Sequence, residues 1–258
     1  MYVRLKHTLS AVALAALRDP ARSLRAGPVP WLRAFCELAG KDRDTVYEVP
    51  VAAVAGRARA SRGSVRSSGA RVSEARGREA ILATGLLERA DGVLSLPPAF
   101  RPHVAYLTRQ VHRLDRTLRS LVSAPVASGP RRVIQKGAAL FNAGLFFECH
   151  EFLEDAWRRA SGDDRTFYHG VILIAASFYH HEKGNLHGAR IKLTEGMKHL
   201  QRCAPVPGIQ LHRWLRVLEP WKKRLDAGRV TGVLHRTEIP RIPLSTARHT
   251  PRKQKRGV

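Results

Sequence analysis

The stretch "FNAGLFFECHEFLEDAW", residues 141–157, is largely apolar and yet carries five groups able to bind a metal or transfer a proton. These groups are Glu148, His150, Glu151, Glu154 and Asp155. At helical spacing His150 and Glu154 lie one turn apart on the apolar side, so their side chains can converge. A buried carboxylate needs a hydrogen-bond donor, a cation or a proton. The stretch therefore predicts a metal site or a buried hydrogen-bonded pair.

The same helix, predicted to run from about residue 134 to 160, has a second, polar flank. Glu148, Glu151, Asp155, Arg158 and Arg159 share this flank. Oppositely charged residues four apart on a helix form routine surface pairs. We therefore expect these five side chains to face water.

The next predicted helix, about 165–183, is apolar nearly all round, which is typical of a helix at the centre of a bundle. His169, Leu173, Ala176 and His180 form one stripe along it. We expect His180 to be buried and to meet His150 and Glu154. His181 points about 100° away and is expected to be exposed.

Two imidazoles and a carboxylate suit zinc, manganese or iron, and three protein ligands leave a position open for water. Glu148, Glu151 and His169 are possible further ligands. The alternative is a His–Glu hydrogen-bond network that only fixes packing. The motif of zinc proteases, HExxH, is not met, because Glu154 stands where the second histidine would be.

Two more helices, about 186–203 and 209–226, complete an all-α bundle over residues 133–228. The pattern around the opening stretch resembles the bacterial and archaeal family called domain of unknown function 309. The matching residues are Phe141, Asn142, Gly144, Phe146, Phe147, Glu148, His150, Glu151, Leu153, Glu154 and Trp157, then His180, Gly184, Asn185, Gly188 and Ala189. The resemblance covers about 134–200 and implies a small all-helical domain without an established role, for which metal binding has been suggested.

Residues 28–98 combine helix patterns with short strand patterns. Helix patterns at 31–40 and 51–60 flank a short alternating stretch at 46–49, and a further helix pattern ends at Gly85. Two strand-like runs then surround Asp91-Gly92, a dipeptide that favours a tight hairpin turn. This order resembles a winged-helix DNA-binding domain, with a small β-hairpin as the wing.

The same segment carries a cluster of seven arginines against one acidic residue, Glu74, within residues 57–78. They are Arg57, Arg59, Arg62, Arg66, Arg71, Arg76 and Arg78. Arginines at a helix entry suit phosphate and base contacts, so double-stranded DNA is the expected partner. The alternatives are a solvated basic loop and a winged helix that binds protein. The start of the recognition helix lies somewhere between Ser64 and Val72.

A connecting helix, 99–124, follows. Its apolar residues repeat at three- and four-residue spacing and form a seam. They are Val104, Leu107, Val111, Leu114, Leu118 and Leu121. The seam can pack against the same 101–124 helix in a second copy, giving a homodimer, or against another surface of this chain. Residues 125–132, rich in proline and glycine, are predicted to be a linker.

The two ends of the chain and its composition lead to further expectations. Residues 1–27 are predicted to be an N-terminal extension, as a short amphipathic helix or an ill-defined leader, and residues 239–258 a disordered basic tail.

The net charge of +24 suits a polyanionic partner. Three separated cysteines indicate a reducing cytoplasm. No apolar run approaches the roughly 18 residues of a membrane span, so no membrane association is expected.

The sequence thus favours a cytoplasmic DNA-binding protein, regulatory or nucleoid-related, whose helical domain senses a metal or ligand or mediates assembly. A metal-dependent enzyme is the main alternative. A protein-interaction scaffold without chemistry is the second.

Overall fold

The computed structural model describes residues 1–40, 47–61, 70–206, 208–228, 234–235 and 237–244. These residues form eleven α-helices and three short strands, and the chain divides into two compact units, Met1–Pro125 and Val126–Val258. The mainly helical class is therefore confirmed. None of the helices in these ranges is long and apolar enough to cross a membrane.

Unit 1 contains six helices and all three strands. They are α1 (Tyr2–Arg18), α2 (Pro20–Ala26), α3 (Val29–Ala39), β1 (Glu48–Pro50), α4 (Val51–Ala60), α5 (Ala70–Ala83), β2 (Glu88–Ala90), β3 (Val93–Ser95) and α6 (Val104–Ser123). A 3₁₀ turn, Pro98–His103, precedes α6.

The first two helices pack against the rest of unit 1, and α1 supplies buried side chains. Leu5, Leu9 and Leu17 of α1 are buried, and α1 and α2 both contact α6. Asp19 separates the two helices and caps α2 by accepting a hydrogen bond from Arg22 N, 2.9 Å away. Residues 1–27, predicted to be an N-terminal extension, thus lie within unit 1, and the apolar face of α1 is covered by the same chain.

The strands form one antiparallel sheet in the order β1-β3-β2. The β2–β3 hairpin turns at Asp91 and Gly92, whose φ angles of 47° and 77° are those that this dipeptide favours. Val49 of β1 lies opposite Leu94 of β3, and both side chains are buried. The predicted hairpin is confirmed. The predicted strand near residue 47 pairs with β3 as the third strand of the sheet.

The apolar seam of α6 is covered inside unit 1. Leu107, Val111, Leu114 and Leu118 are each at most 3% exposed, and α6 packs against α1, α2 and α3. Of the two partners considered for this seam, another surface of the same chain occupies it. The homodimer stays a prediction, but these side chains no longer support it.

Unit 2 contains five helices. They are α7 (Gly129–Asn142), α8 (Phe146–Arg159), α9 (Gly162–Glu182), α10 (Leu186–Gln201) and α11 (Leu211–Asp226). The single helix expected over 134–160 is wrong: Gly144, at φ 81°, separates α7 from α8. That positive φ is readily adopted only by glycine, so the chain can turn there. The predicted linker is also shorter than expected, because α7 already begins at Gly129.

The core of unit 2 is aromatic. The ring of Phe141 lies 5.2 to 5.5 Å from those of Phe146, Phe178 and Trp214, each in an edge-to-face arrangement. Phe178 also meets Trp221, with ring centres 5.4 Å apart. This geometry is the preferred one for aromatic pairs and adds to the stabilisation from burial. It joins α7, α8, α9 and α11 around one centre.

Part of the predicted disordered tail is folded. Ile239 and Ile242 are at most 4% exposed. Asn142 accepts a hydrogen bond from Ile242 N at 2.7 Å and donates one to Ile242 O at 3.0 Å, and Trp214 Nε1 donates to Pro240 O at 2.8 Å. The expectation is therefore wrong for residues 239–244, because two isoleucines find a buried site. Residues 245–258 lie outside the described ranges.

Candidate metal centre

One group of three metal-ligating side chains stands out among the described residues: His150, Glu151 and Glu154, all on α8. One ligand atom from each lies within 4.8 Å of the others. His150 Nδ1 is 3.3 Å from Glu151 Oε1 and 3.9 Å from Glu154 Oε2. A small movement of three side chains would place a divalent ion among them, and their nitrogen and oxygen donors suit zinc, manganese or iron.

The cluster faces solvent more than the sequence suggested. The side chains of His150, Glu151 and Glu154 are 31%, 32% and 30% exposed. Arg158 Nη2 donates to Glu154 Oε1 at 2.7 Å, so one carboxylate oxygen is already engaged while the other points toward His150. The expectation that His150 and Glu154 face into the bundle is corrected, since their face of α8 is only half covered.

His180, the predicted third ligand, is not a member of this cluster. It lies near the end of α9, where its Nδ1 is 3.3 Å from Asn185 Nδ2. Asn185 also caps α10 by accepting from Gly188 N at 2.8 Å. Burial, and then the charge of Lys192, lowers the pKa of His180. The structure thus associates His180 with the α9–α10 turn.

Two residues expected in water are buried instead. Glu148 is 1% exposed and His181 is 2% exposed, whereas His180 is only half-buried. Glu148 lies in the first turn of α8, which packs between α7 and α9. The His181 ring meets the Trp221 ring edge-on, with centres 6.1 Å apart. The signal was in the sequence: a helix apolar all round is covered on every side, so no ring on it can be assumed exposed.

The thiol of Cys149 lies next to Glu148 in the chain, and its pKa is affected by burial and then by that buried carboxylate. Cys149 is fully buried, and its Sγ is 3.4 Å from Gly137 O. Burial, with the negative charge of Glu148 second, raises the pKa of the Cys149 thiol far above its ordinary value. A neutral buried thiol is a poor nucleophile.

A pair of imidazoles lies where α9 meets α10. The ring centres of His169 and His199 are 4.4 Å apart, and His169 also lies 5.4 Å from the Trp157 ring. Burial, and then the charge of His199, lowers the pKa of His169. The proximity of His199 was missed, because contact between two helices is not visible in the spacing within either one. His169 does not join the α8 cluster.

The arginine cluster is only partly available for a partner. Arg57 Nε is 2.5 Å from Glu37 Oε2, and Arg59 Nη1 is 2.5 Å from Glu74 Oε2. Arg76 is exposed on α5 and Arg78 is half-buried. Arg62 and Arg66, and the side chain of Arg71, lie outside the described residues.

The geometry defines unit 2 as an all-helical domain whose α8 helix carries a histidine and glutamate group. Residues 134–192 match the model of a family described as domain of unknown function (DUF309). This match confirms the resemblance seen in the sequence for that part of the chain.

The chain is also similar to the uncharacterized protein YpuF of Bacillus subtilis (strain 168). The two are 37% identical over 85 residues, which is 31% of this chain and 49% of that protein. The chain thus spans about half the length of this relative. No solved structure matches the chain.

Proposed function

We propose that the protein is a cytoplasmic DNA-binding protein, regulatory or nucleoid-related, that contacts double-stranded DNA through α5 of unit 1. The single observation that carries this proposal is the arrangement of residues 28–98. Among the described residues, the order α3-β1-α4-α5-β2-β3, with the sheet order β1-β3-β2, resembles that of a winged-helix domain and supports the proposal. In such a domain the helix before the hairpin enters the major groove.

Charge supports the proposal. Residues 1–125 hold 21 Lys and Arg against 10 Asp and Glu, a net charge of +11. Arg76 projects from the exposed face of α5, and Arg78 lines a cavity of about 350 Å³ beside it. Arg57 and Arg59 are engaged in ion pairs with Glu37 and Glu74, so we assign them to holding α4 in place. The contact to DNA then falls to Arg76, Arg78 and the arginines outside the described residues.

The test compares two charge-matched double variants of the full-length protein. Arg76→Gln with Arg78→Gln should lower affinity for a labelled duplex in fluorescence anisotropy. It should also flatten the plot of log affinity against log salt by roughly 1.8, since each lost phosphate contact removes about 0.9. Arg213→Gln with Arg216→Gln, two exposed arginines of α11, removes the same charge and should change neither quantity comparably.

Equal losses in both double variants would mean that net charge alone drives binding. Failure of the wild-type protein to bind DNA at low salt would reject the function. Removing residues 245–258 measures the contribution of the basic tail separately, and a loss larger than that of the α5 variant would move the contact to the tail.

A second candidate function is metal binding at His150, Glu151 and Glu154, by which unit 2 would sense a divalent ion or, as an alternative, use it in catalysis. The convergence of their ligand atoms within 4.8 Å favours it. The competing interpretation is a His–Glu network without metal, to which the Glu154–Arg158 ion pair already contributes.

Metal analysis separates these two interpretations. Protein purified without chelators should carry zinc, manganese or iron, and Glu154→Gln should lower that content while the helix content measured by circular dichroism stays the same. Asp155→Asn, on the exposed side of the same helix, is the matched control and should keep the metal. Less than about 0.1 metal per wild-type chain, with no thermal stabilisation by added Zn²⁺ or Mn²⁺, would reject the site.

A further inference from the structure

Helices α9 and α10 approach each other at two glycines. A Cβ atom on Gly196 would lie 2.8 Å from Gly170 O and 2.7 Å from Ile174 Cγ1. A Cβ atom on Gly170 would lie 2.7 Å from Leu200 Cδ2. Any side chain at either position would push the helices apart, so the absence of side chains there permits the close crossing.

His169 and His199 lie beside this crossing. His169 directly precedes Gly170, and His199 follows Gly196 by one turn. Their ring centres are 4.4 Å apart and the ring planes are inclined by 53°. Both rings are half-buried, so an ion could reach them from solvent. The close backbone approach therefore holds two imidazoles together at an accessible position.

The spacing of the rings fits two ligands on one ion. With metal–nitrogen bonds of 2.0–2.1 Å, two imidazoles on one ion place their ring centres about 4.5 Å apart at a bond angle of 90° and about 5.2 Å apart at the tetrahedral angle. The observed separation of 4.4 Å is close to the 90° value. A tetrahedral ion would require the rings to move apart by roughly 0.8 Å. The environment of His169 also favours its neutral form, because burial lowers the pKa of that ring. A neutral imidazole has a nitrogen lone pair to donate.

The neighbouring charges limit which ions fit. Lys192 and Arg165 both oppose positive charge at His169. Lys192 is paired with Glu195 at 2.9 Å, and the Arg165 guanidinium stacks 4.3 Å above the Trp157 ring. A hard cation that needs several oxygen ligands gains little there. An ion with strong affinity for imidazole can still bind.

We propose that His169 and His199 form a two-imidazole site for Zn²⁺ or a similar imidazole-binding divalent ion, separate from the α8 cluster. The ion would join α9 to α10 and would keep open coordination positions toward solvent. Binding there would stabilise the folded unit, because the unfolded chain does not hold the two rings together.

The test is calorimetric titration of the full-length protein with ZnCl₂. His199→Gln should remove one equivalent of Zn²⁺ or weaken its binding by about tenfold or more, because one remaining imidazole no longer chelates. His187→Gln removes an exposed histidine from the same helix and should leave the titration unchanged. Glu154→Gln should leave this equivalent in place even if it removes metal from the α8 cluster, so the two sites are tested independently.

A measurement on the wild-type protein covers the case in which His199→Gln does not fold. In nitrogen-15 spectra of the imidazoles, the signals of His169 and His199 should shift together as one equivalent of Zn²⁺ is added. Unchanged signals for these two rings, or an unaltered titration in a folded His199→Gln variant, would overturn the proposal.

Discussion

At the scale of single residues, Glu37 belongs to an ion-pair network that joins three helices of unit 1. Its two carboxylate oxygens accept from Arg33 Nε at 2.7 Å and Arg57 Nε at 2.5 Å. Arg33 continues to the buried Asp115, 2.7 Å away, which also pairs with Arg119 at 2.8 Å. The network ties α3 to α4 and α6, and it explains why Arg57 is not simply a free positive charge.

The pKa of Glu37 makes this network sensitive to pH. Burial alone would raise the pKa of Glu37, but the hydrogen bonds and charges of Arg33 and Arg57 outweigh burial and hold the pKa below its ordinary value of 4.5. A carboxyl group with a lowered folded-state pKa stabilises the protein above its ordinary pKa. That stabilisation is lost as the pH falls through the folded-state value.

We therefore predict that Glu37→Gln lowers the free energy of unfolding at pH 7 by roughly 1.5–3 kcal/mol, the usual contribution of hydrogen bonds to charged groups. The difference from wild type should shrink between pH 6 and pH 3, as measured by urea unfolding. Glu79→Gln, at an exposed site on α5, serves as the control and should show a smaller difference at each pH. A difference for Glu37→Gln that does not change with pH would contradict the assignment.

At the scale of elements, glycines decide how closely helices can pack. Gly77 of α5 faces the fully buried Trp31 of α3, and a Cβ atom there would lie 2.6 Å from Trp31 Nε1 and 2.9 Å from Trp31 Cδ1. The indole is rigid and enclosed, so it cannot move aside at low cost. The position of α5, the helix proposed to meet DNA, therefore depends on a residue without a side chain.

We predict that Gly77→Ala destabilises the protein by about 1–3 kcal/mol, the usual cost of overpacking a core. Gly56→Ala is the matched control within α4, because a Cβ atom there meets nothing within 4 Å. It should stabilise by roughly 0.5–1 kcal/mol through the better helix propensity of alanine. Thermal unfolding of both variants measures the difference in their stability. Equal changes in stability would show that the contact with Trp31 does not determine the effect of the substitution at Gly77.

At the scale of the whole molecule, the chain consists of two units that differ in charge and in family resemblance. Unit 1 has an excess of positive charge and an arrangement of helices and strands that supports the DNA proposal. Unit 2 has the family match and both groups of possible metal ligands. Because each proposal rests on residues within a single unit, one can fail without the other.

The C-terminal segment shows how the limits of a unit can be misjudged. Residues 239–244 looked like the start of a basic tail because prolines, an arginine and no acidic groups follow Glu238. The segment is nevertheless held by the Asn142 side chain, about 100 residues earlier in the chain, and by the Trp214 indole. Composition indicates disorder where nothing can be buried, but two isoleucines were enough here.

The sequence by itself determined the local structure. The positions of α9, α10 and α11 follow from apolar periodicity and helix-stop residues, and the β2–β3 turn follows from the conformations that Asp91-Gly92 prefers. The tertiary structure alone decided which side chains are covered and which meet. It buried Glu148 and His181, left His150 and Glu154 half-exposed, placed His199 against His169, and turned the α6 seam inward. The physical reason is that backbone preferences act between near neighbours, whereas burial depends on which distant element packs over a given face.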